Sequence, residues 1–222
     1  MDDMITALFP PGVRTVEATP DMWSGSLLPA EESCVDGCVP KRRREFTAGR
    51  LCARKALSQL GIRHFPLLAG DDRAPRWPKG IAGTISHTET YCAAAVVRVG
   101  DVLSIGFDAE DITPLEANLV PMVCTPAERD HVQALPGRDA ATWAKLLFSA
   151  KESTYKCYYP LAHTLLDFHD VSVNLKPDDG TFRASLIRAE APAAQGARTF
   201  CGRFHFGPTH LFAATTLQRG DI

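Results

Sequence analysis

Apolar residues at Phe46, Ala53, Leu57 and Leu60 return with a helical period, and Gly61 follows where a helix stop belongs. The pattern therefore predicts a helix from Arg42 to about Leu60. Upstream, Pro10, Pro11, Pro20, Pro29 and Pro40 cut the chain into short apolar pieces, which predicts extended segments and turns. Beyond the breaks at Pro75, Pro78 and Gly80, Tyr91 to Val97 predicts a strand, joined as a hairpin through Gly100-Asp101 to a strand from Val102 to Asp108. A second helix is expected from Ala140 to Cys157, ended by Pro160. Val171 to Leu175, Phe182 to Ile187, Phe204 to Phe206 and Leu211 to Thr216 then predict strands, around Asp178-Asp179-Gly180 and Gly207-Pro208 turns. Helices interleaved with hairpin-linked strands indicate an α+β fold.

Alternation along 103–110 points Leu103, Ile105, Phe107 and Ala109 one way, and Ser104, Gly106, Asp108 and Glu110 the other. Two carboxylates then emerge side by side at a strand end, which is unfavourable unless a cation or a shared proton lies between them. A hard divalent ion, Mg2+ first with Mn2+ as the alternative, suits carboxylates completed by water and phosphate oxygens. Taken alone, the same residues also read as a strand running out into an acidic surface loop, since Asp111 continues the charge.

On the second helix Trp143, Leu147, Ala150 and Thr154 share one face, and Lys145, Ser149, Glu152 and Lys156 the opposite one. By themselves Glu152 and Lys156 are an exposed pair contributing about 0.3–0.5 kcal/mol. Should that face meet Asp108 and Glu110, Glu152 becomes a third metal-side carboxylate or a general base, and Lys156 a phosphate contact. Gly83 to Thr88, with Ser86 and His87, is expected to form a loop whose N–H groups and side chains hold phosphate. On the first helix Arg43, Arg50 and Arg54 form one stripe beside the apolar seam, facing either a cleft or solvent.

Composition narrows the classes. With 222 residues, 45% hydrophobic and 23% charged, the chain is neither disordered nor collagen-like, and it suits one large domain or two compact subdomains. Twenty-four Lys plus Arg against 26 Asp plus Glu leave a net charge of -2, so any anion binding must be local and nucleic acid is not an expected partner. No stretch approaches the roughly 18 apolar residues of a membrane span, and the opening residues lack a signal-peptide pattern, so a cytoplasmic protein is expected. Seven scattered cysteines suggest reduced thiols, and Cys34 and Cys38 lack the second pair a zinc site needs.

Taken in order, five blocks resemble the 4′-phosphopantetheinyl transferases of the surfactin and enterobactin type. They are Phe46-x-x-x-Arg50-x-x-Ala53-Arg54, Arg73-Ala74-Pro75-Arg76-Trp77-Pro78, Ile85-Ser86-His87, Gly106-Phe107-Asp108-Ala109-Glu110 and Phe148-Ser149-Ala150-Lys151-Glu152-Ser153-x-x-Lys156. The second and last look closest to the enterobactin branch. The resemblance implies two pseudo-symmetric α/β subdomains, drawn as residues 1–105 and 106–222, with the active site at their interface. It implies transfer of phosphopantetheine from coenzyme A to a serine of an apo peptidyl, aryl or acyl carrier protein by a monomer, releasing 3′,5′-ADP. Asp108, Glu110 and Glu152 match the family's metal-binding carboxylates, with Glu152 also the base. Lys156 matches its phosphate-contacting lysine, and Ser86 and His87 the pair holding coenzyme A phosphates. Arg50, with Arg43 and Arg54 as weaker matches, corresponds to the basic residues around the 3′-phosphoadenosine, and Arg73 or Arg76 supplies the charge near the proline. Two rivals remain at this level. One is a Mg2+-dependent hydrolase of coenzyme A or nucleotide pyrophosphates; the other is a non-enzymatic binder of an acidic partner or nucleic acid through Lys41 to Arg44, Arg50 and Arg54.

Overall fold

The computed structural model describes residues 4–221. In chain order the elements are β1 (Arg14–Glu17), α1 (Pro29–Glu32), α2 (Pro40–Gln59), β2 (Ile81–His87), β3 (Cys92–Arg98), β4 (Val102–Asp111) and α3 (Val120–Val123). There follow α4 (Pro126–Ala134), α5 (Ala140–Ala162), β5 (Val171–Lys176), β6 (Thr181–Leu186), β7 (Thr199–Phe206) and β8 (His210–Gln218). The strands form two antiparallel sheets, β1-β3-β2 and β4-β8-β7-β6-β5. The α+β expectation holds.

Each sheet carries one long helix. Ala48, Cys52, Ala56 and Leu57 of α2 are buried against Val16, Ala94 and Val96 of the small sheet. Trp143, Leu146, Leu147 and Ala150 of α5 are buried with Val173, Phe200 and Leu211 of the large one. A third apolar cluster lies between the sheets, where Ile105, Phe107 and Ala109 meet Ala93, Ala95, Phe212 and the N-terminal Ile5, Leu8 and Phe9. Burying these side chains contributes about 1.5–3 kcal/mol for each large one.

Four sequence expectations change. β3 and β4 are consecutive but belong to different sheets: the turn at 99–101 reverses the chain, while β4 finds its ladder partner in β8. Turn chemistry specifies a reversal and leaves the partner to packing. Residues 81–87 form a strand rather than a loop, so the backbone of Ser86 is engaged in the ladder with β3, opposite Ala93. Helix α5 runs through Pro160 to Ala162, and His163 in left-handed conformation donates its N–H to the Tyr159 carbonyl at 2.8 Å. Finally, the register of β4 shifts between Val102 and Ser104, so Leu103 packs against the α5 core instead of beside Ile105.

Candidate active site

The site begins with a close approach. A Cβ on Gly106 would stand 1.8 Å from the Ser153 carbonyl oxygen and 2.7 Å from the Cys157 nitrogen, so only glycine lets α5 lie this near β4. Ser104 fixes the contact by donating to the Cys157 carbonyl at 2.7 Å. The register then sets Asp108, two residues on, beneath Lys156: Nζ donates to Asp108 Oδ1 at 2.6 Å. Strand β2 closes the other side. Thr84 and Ser86 accept hydrogen bonds from the backbone N–H groups of Phe107 and Ala109 at 3.1 and 3.2 Å, so hydroxyls stitch the two sheets together where no ladder does. Ser86 also donates to Asp108 Oδ1 at 3.0 Å and lies 3.3 Å from Lys156 Nζ.

Asp108 is 4% exposed, yet its Oδ2 has no hydrogen-bond partner among the described residues. A buried carboxylate oxygen left bare costs about 1–3 kcal/mol or more, and Asp108 also repels two further acids. Glu110 is held by Lys145 at 2.8 Å. Burial pushes its carboxyl above the usual range; Lys145 opposes the shift and Asp108 adds to it. Burial likewise raises Glu152, against the pull of Lys156 and with further push from Asp108 and Glu110. The mutual repulsion places all three acids in one electrostatic neighbourhood. Among the described residues no three acidic, His or Cys side chains close around an ion by themselves. A divalent ion drawing on these carboxylates, with water and phosphate oxygens completing its shell, matches that donor set and the bare Oδ2.

His87, at the end of β2, stands between Arg42 (Nη1 to Nε2, 3.2 Å) and Glu45 (Oε2 to Nδ1, 3.8 Å). Burial lowers its pKa, as do Arg42 and Lys156, with Glu45 and Asp108 pulling the other way. The first turn of α2 carries Lys41, Arg42, Arg43 and Arg44 and no acid. Lys41 pairs with Glu89, Arg43 with Glu32 and Arg44 stacks over Trp23, so it is Arg42, beside His87 at the positive end of the helix dipole, that can meet an anion.

The remaining arginines separate. Arg50 is buried, donates from Nε to the Leu67 carbonyl at 2.7 Å and stacks over Phe46 at 3.9 Å; burial brings its pKa down to about 10. Arg43 pairs with Glu32, and Arg54 with the fully buried Glu31, on the α1 side of the helix. Arg73, with φ of 66°, and Arg76, 3.9 Å from Asp71, border a cavity of about 770 Å³ between the 70–77 segment, β2 and α5. Lys156 forms one end of this cavity and Trp77, Tyr155 and Tyr159 its walls; its size suits a small organic ligand.

Ser86, His87, Asp108, Glu110, Glu152 and Lys156 thus gather where β2, β4 and α5 meet. Arg43 and Arg54 point into ion pairs elsewhere on α2. Sequence reasoning passed over Arg42 as a site residue, Lys145 as the partner of Glu110, and the tyrosines. Lys145 was legible, since it shares a helix face with Glu152; Arg42 was hidden within a run of four basic residues.

A sequence model described as the 4′-phosphopantetheinyl transferase N-terminal domain matches residues 30–97, and one described as the 4′-phosphopantetheinyl transferase superfamily matches residues 104–204. The chain is 41% identical over 210 residues to 4′-phosphopantetheinyl transferase Svp of Streptomyces mobaraensis, covering 92% of this chain and 85% of that protein. It is 36% identical over 191 residues to 4′-phosphopantetheinyl transferase Npt of Nocardia iowensis, covering 83% and 85%. Identity to enterobactin synthase component D of Salmonella typhimurium is 41% over 122 residues, 53% of this chain and 49% of that protein.

Proposed function

Because the chain belongs to the 4′-phosphopantetheinyl transferase superfamily, as an enzyme that moves phosphopantetheine from coenzyme A to an apo carrier protein, we propose that the Asp108, Glu110, Glu152 and Lys156 cluster performs the transfer. The serine hydroxyl of the carrier attacks the phosphorus bearing pantetheine. The new bond is serine oxygen to phosphorus, the pyrophosphate P–O bond breaks, and 3′,5′-ADP leaves. Glu152 takes the serine proton, directly or through a water; its raised pKa makes it a better proton acceptor than an exposed glutamate. Lys156 places its ammonium where negative charge develops on the phosphates.

Asp108, Glu110 and Glu152 would hold Mg2+, which would supply positive charge to neutralise the phosphates. Ser86 holds Asp108 in place, and His87 with Arg42 meets coenzyme A phosphates. We assign Arg50, Arg73 and Arg76, with Arg43 and Arg54 in the outer ring, to the 3′-phosphoadenosine end, where a bidentate guanidinium discriminates a terminal phosphate. Residues 1–105 then supply mainly the coenzyme A contacts and 106–222 the metal and the base. The observation that carries this reading is the bare, buried Asp108 Oδ2 beside Lys156 and two repelling glutamates.

We assign a monomer, as the family resemblance implies. No helix among the described residues is long and apolar enough to cross a membrane. We place the enzyme in the cytoplasm, in keeping with seven free cysteines, and assign it peptidyl, aryl or acyl carriers of nonribosomal peptide or siderophore synthesis rather than nucleic acid. Substitution tests the assignment: Glu152→Gln and Asp108→Ala should each lower kcat by about 10²–10⁴-fold with an unchanged circular dichroism spectrum. Near-wild-type turnover in either variant would remove that residue from the mechanism.

A further inference from the structure

Lys145 reaches from α5 to a carboxylate of β4. It lies two turns before Glu152 on the same helix face, its side chain 14% exposed, and its Nζ is 2.8 Å from Glu110 Oε2. Lys156 makes the equivalent contact with Asp108 at 2.6 Å. The three carboxylates are therefore met by two ammonium groups of the chain itself. Asp108 Oδ2 is left without a hydrogen-bond partner among the described residues.

We propose that Lys145 is a built-in counter-ion for Glu110, exchanging with the divalent cation and so setting how tightly the site takes metal. This rests on the metal assignment made above. The Glu110 oxygen that Lys145 occupies is one a cation would use, and a monovalent group seated there both competes for it and repels an incoming ion. Against that, the lysine spares the metal-free protein an unpaired, partly buried carboxylate. Lys145 is thus a positioning residue for a metal ligand and has no contact with the reacting atoms. Its removal should help metal binding, where loss of an ordinary site residue would harm it.

The test is a titration of Mn2+ into the full chain at saturating coenzyme A, with free ion read from its electron paramagnetic resonance signal. Wild type, Lys145→Met and Lys145→Arg are compared. Lys145→Met should bind Mn2+ about 5–10-fold more tightly, and its Tm should rise more on Mn2+ addition than the wild-type Tm does. Lys145→Arg should restore the wild-type Kd. An unchanged or weaker Kd in Lys145→Met, with a native circular dichroism spectrum, overturns the proposal. Absence of Mn2+ binding in all three overturns it together with the metal assignment. A wild-type protein that binds Mn2+ but loads no carrier would strike the transfer reading alone and leave the counter-ion role standing.

Discussion

His87 is caught between a guanidinium and a carboxylate, and burial decides its protonation. Its pKa lies below 6.5 in the folded chain, so the folded state takes up this proton less readily than the unfolded one. His87 therefore costs no stability above about pH 6.5, and stability falls as pH drops from there toward its folded pKa. Thermal unfolding between pH 7.5 and 5 should show a larger loss of Tm in wild type than in His87→Gln; parallel curves would contradict the assignment. Lys156 makes a sharper prediction. If its ammonium serves charge that develops in the transition state, Lys156→Ala should reduce kcat far more than it raises KM for coenzyme A. A variant with unchanged kcat and a raised KM would make Lys156 a binding residue only.

Helix α5 depends on a different kind of residue from those it presents to the site. Lys151, 2% exposed, donates all three Nζ protons, to the Val123 carbonyl, Glu128 and the Phe168 carbonyl, at 2.7–2.8 Å. Glu128, equally buried, also accepts from the N–H groups of Thr125 and Val173 at 2.7 Å. The lysine next to the proposed base is thus a structural node joining α3, α4, α5 and β5, bound to groups outside the proposed site. Lys151→Met strands a buried carboxylate and should cost about 3–5 kcal/mol of folding stability, measured by denaturant unfolding. Lys151→Met with Glu128→Gln should recover part of it, and a recovery of nothing would contradict the pairing. Gly106→Ala should be as damaging, because the new methyl would meet helix backbone that cannot step aside.

At this scale the sequence was largely readable. Helical period and Gly61 located α2 within a residue or two, and the alternation along 103–110 put Asp108 on the strand face opposite Phe107, because those signals are local; that this face meets α5 came from the structure. The strand β2 was missed because Gly83, Thr84 and Ser86 lack the apolar alternation of a half-buried strand. The structure explains them: Trp77 lies on Gly83, and the two hydroxyls bridge to β4. The false β3–β4 hairpin arose from a pairing decision that depends on β8, more than 100 residues further along the chain.

Two sheets meeting edge to edge, each backed by one long helix, hold the whole site at their seam. The small sheet brings Ser86 and His87, the large one Asp108 and Glu110, and α5 brings Glu152 and Lys156. Neither half has the constellation alone. The motifs marked these residues separately, but only the hydroxyl bridges of Thr84 and Ser86 show how the halves are registered. Transfer of phosphopantetheine at this seam is read out by intact-protein mass spectrometry. An apo peptidyl carrier domain is incubated with the protein, coenzyme A and Mg2+, alongside a chelator control and the Asp108→Ala variant. A Mg2+-dependent gain of one phosphopantetheine is expected, lost in both controls. Unmodified peptidyl, aryl and acyl carriers alike, with folded protein and free 3′,5′-ADP accumulating, would contradict it and point to hydrolysis of coenzyme A instead.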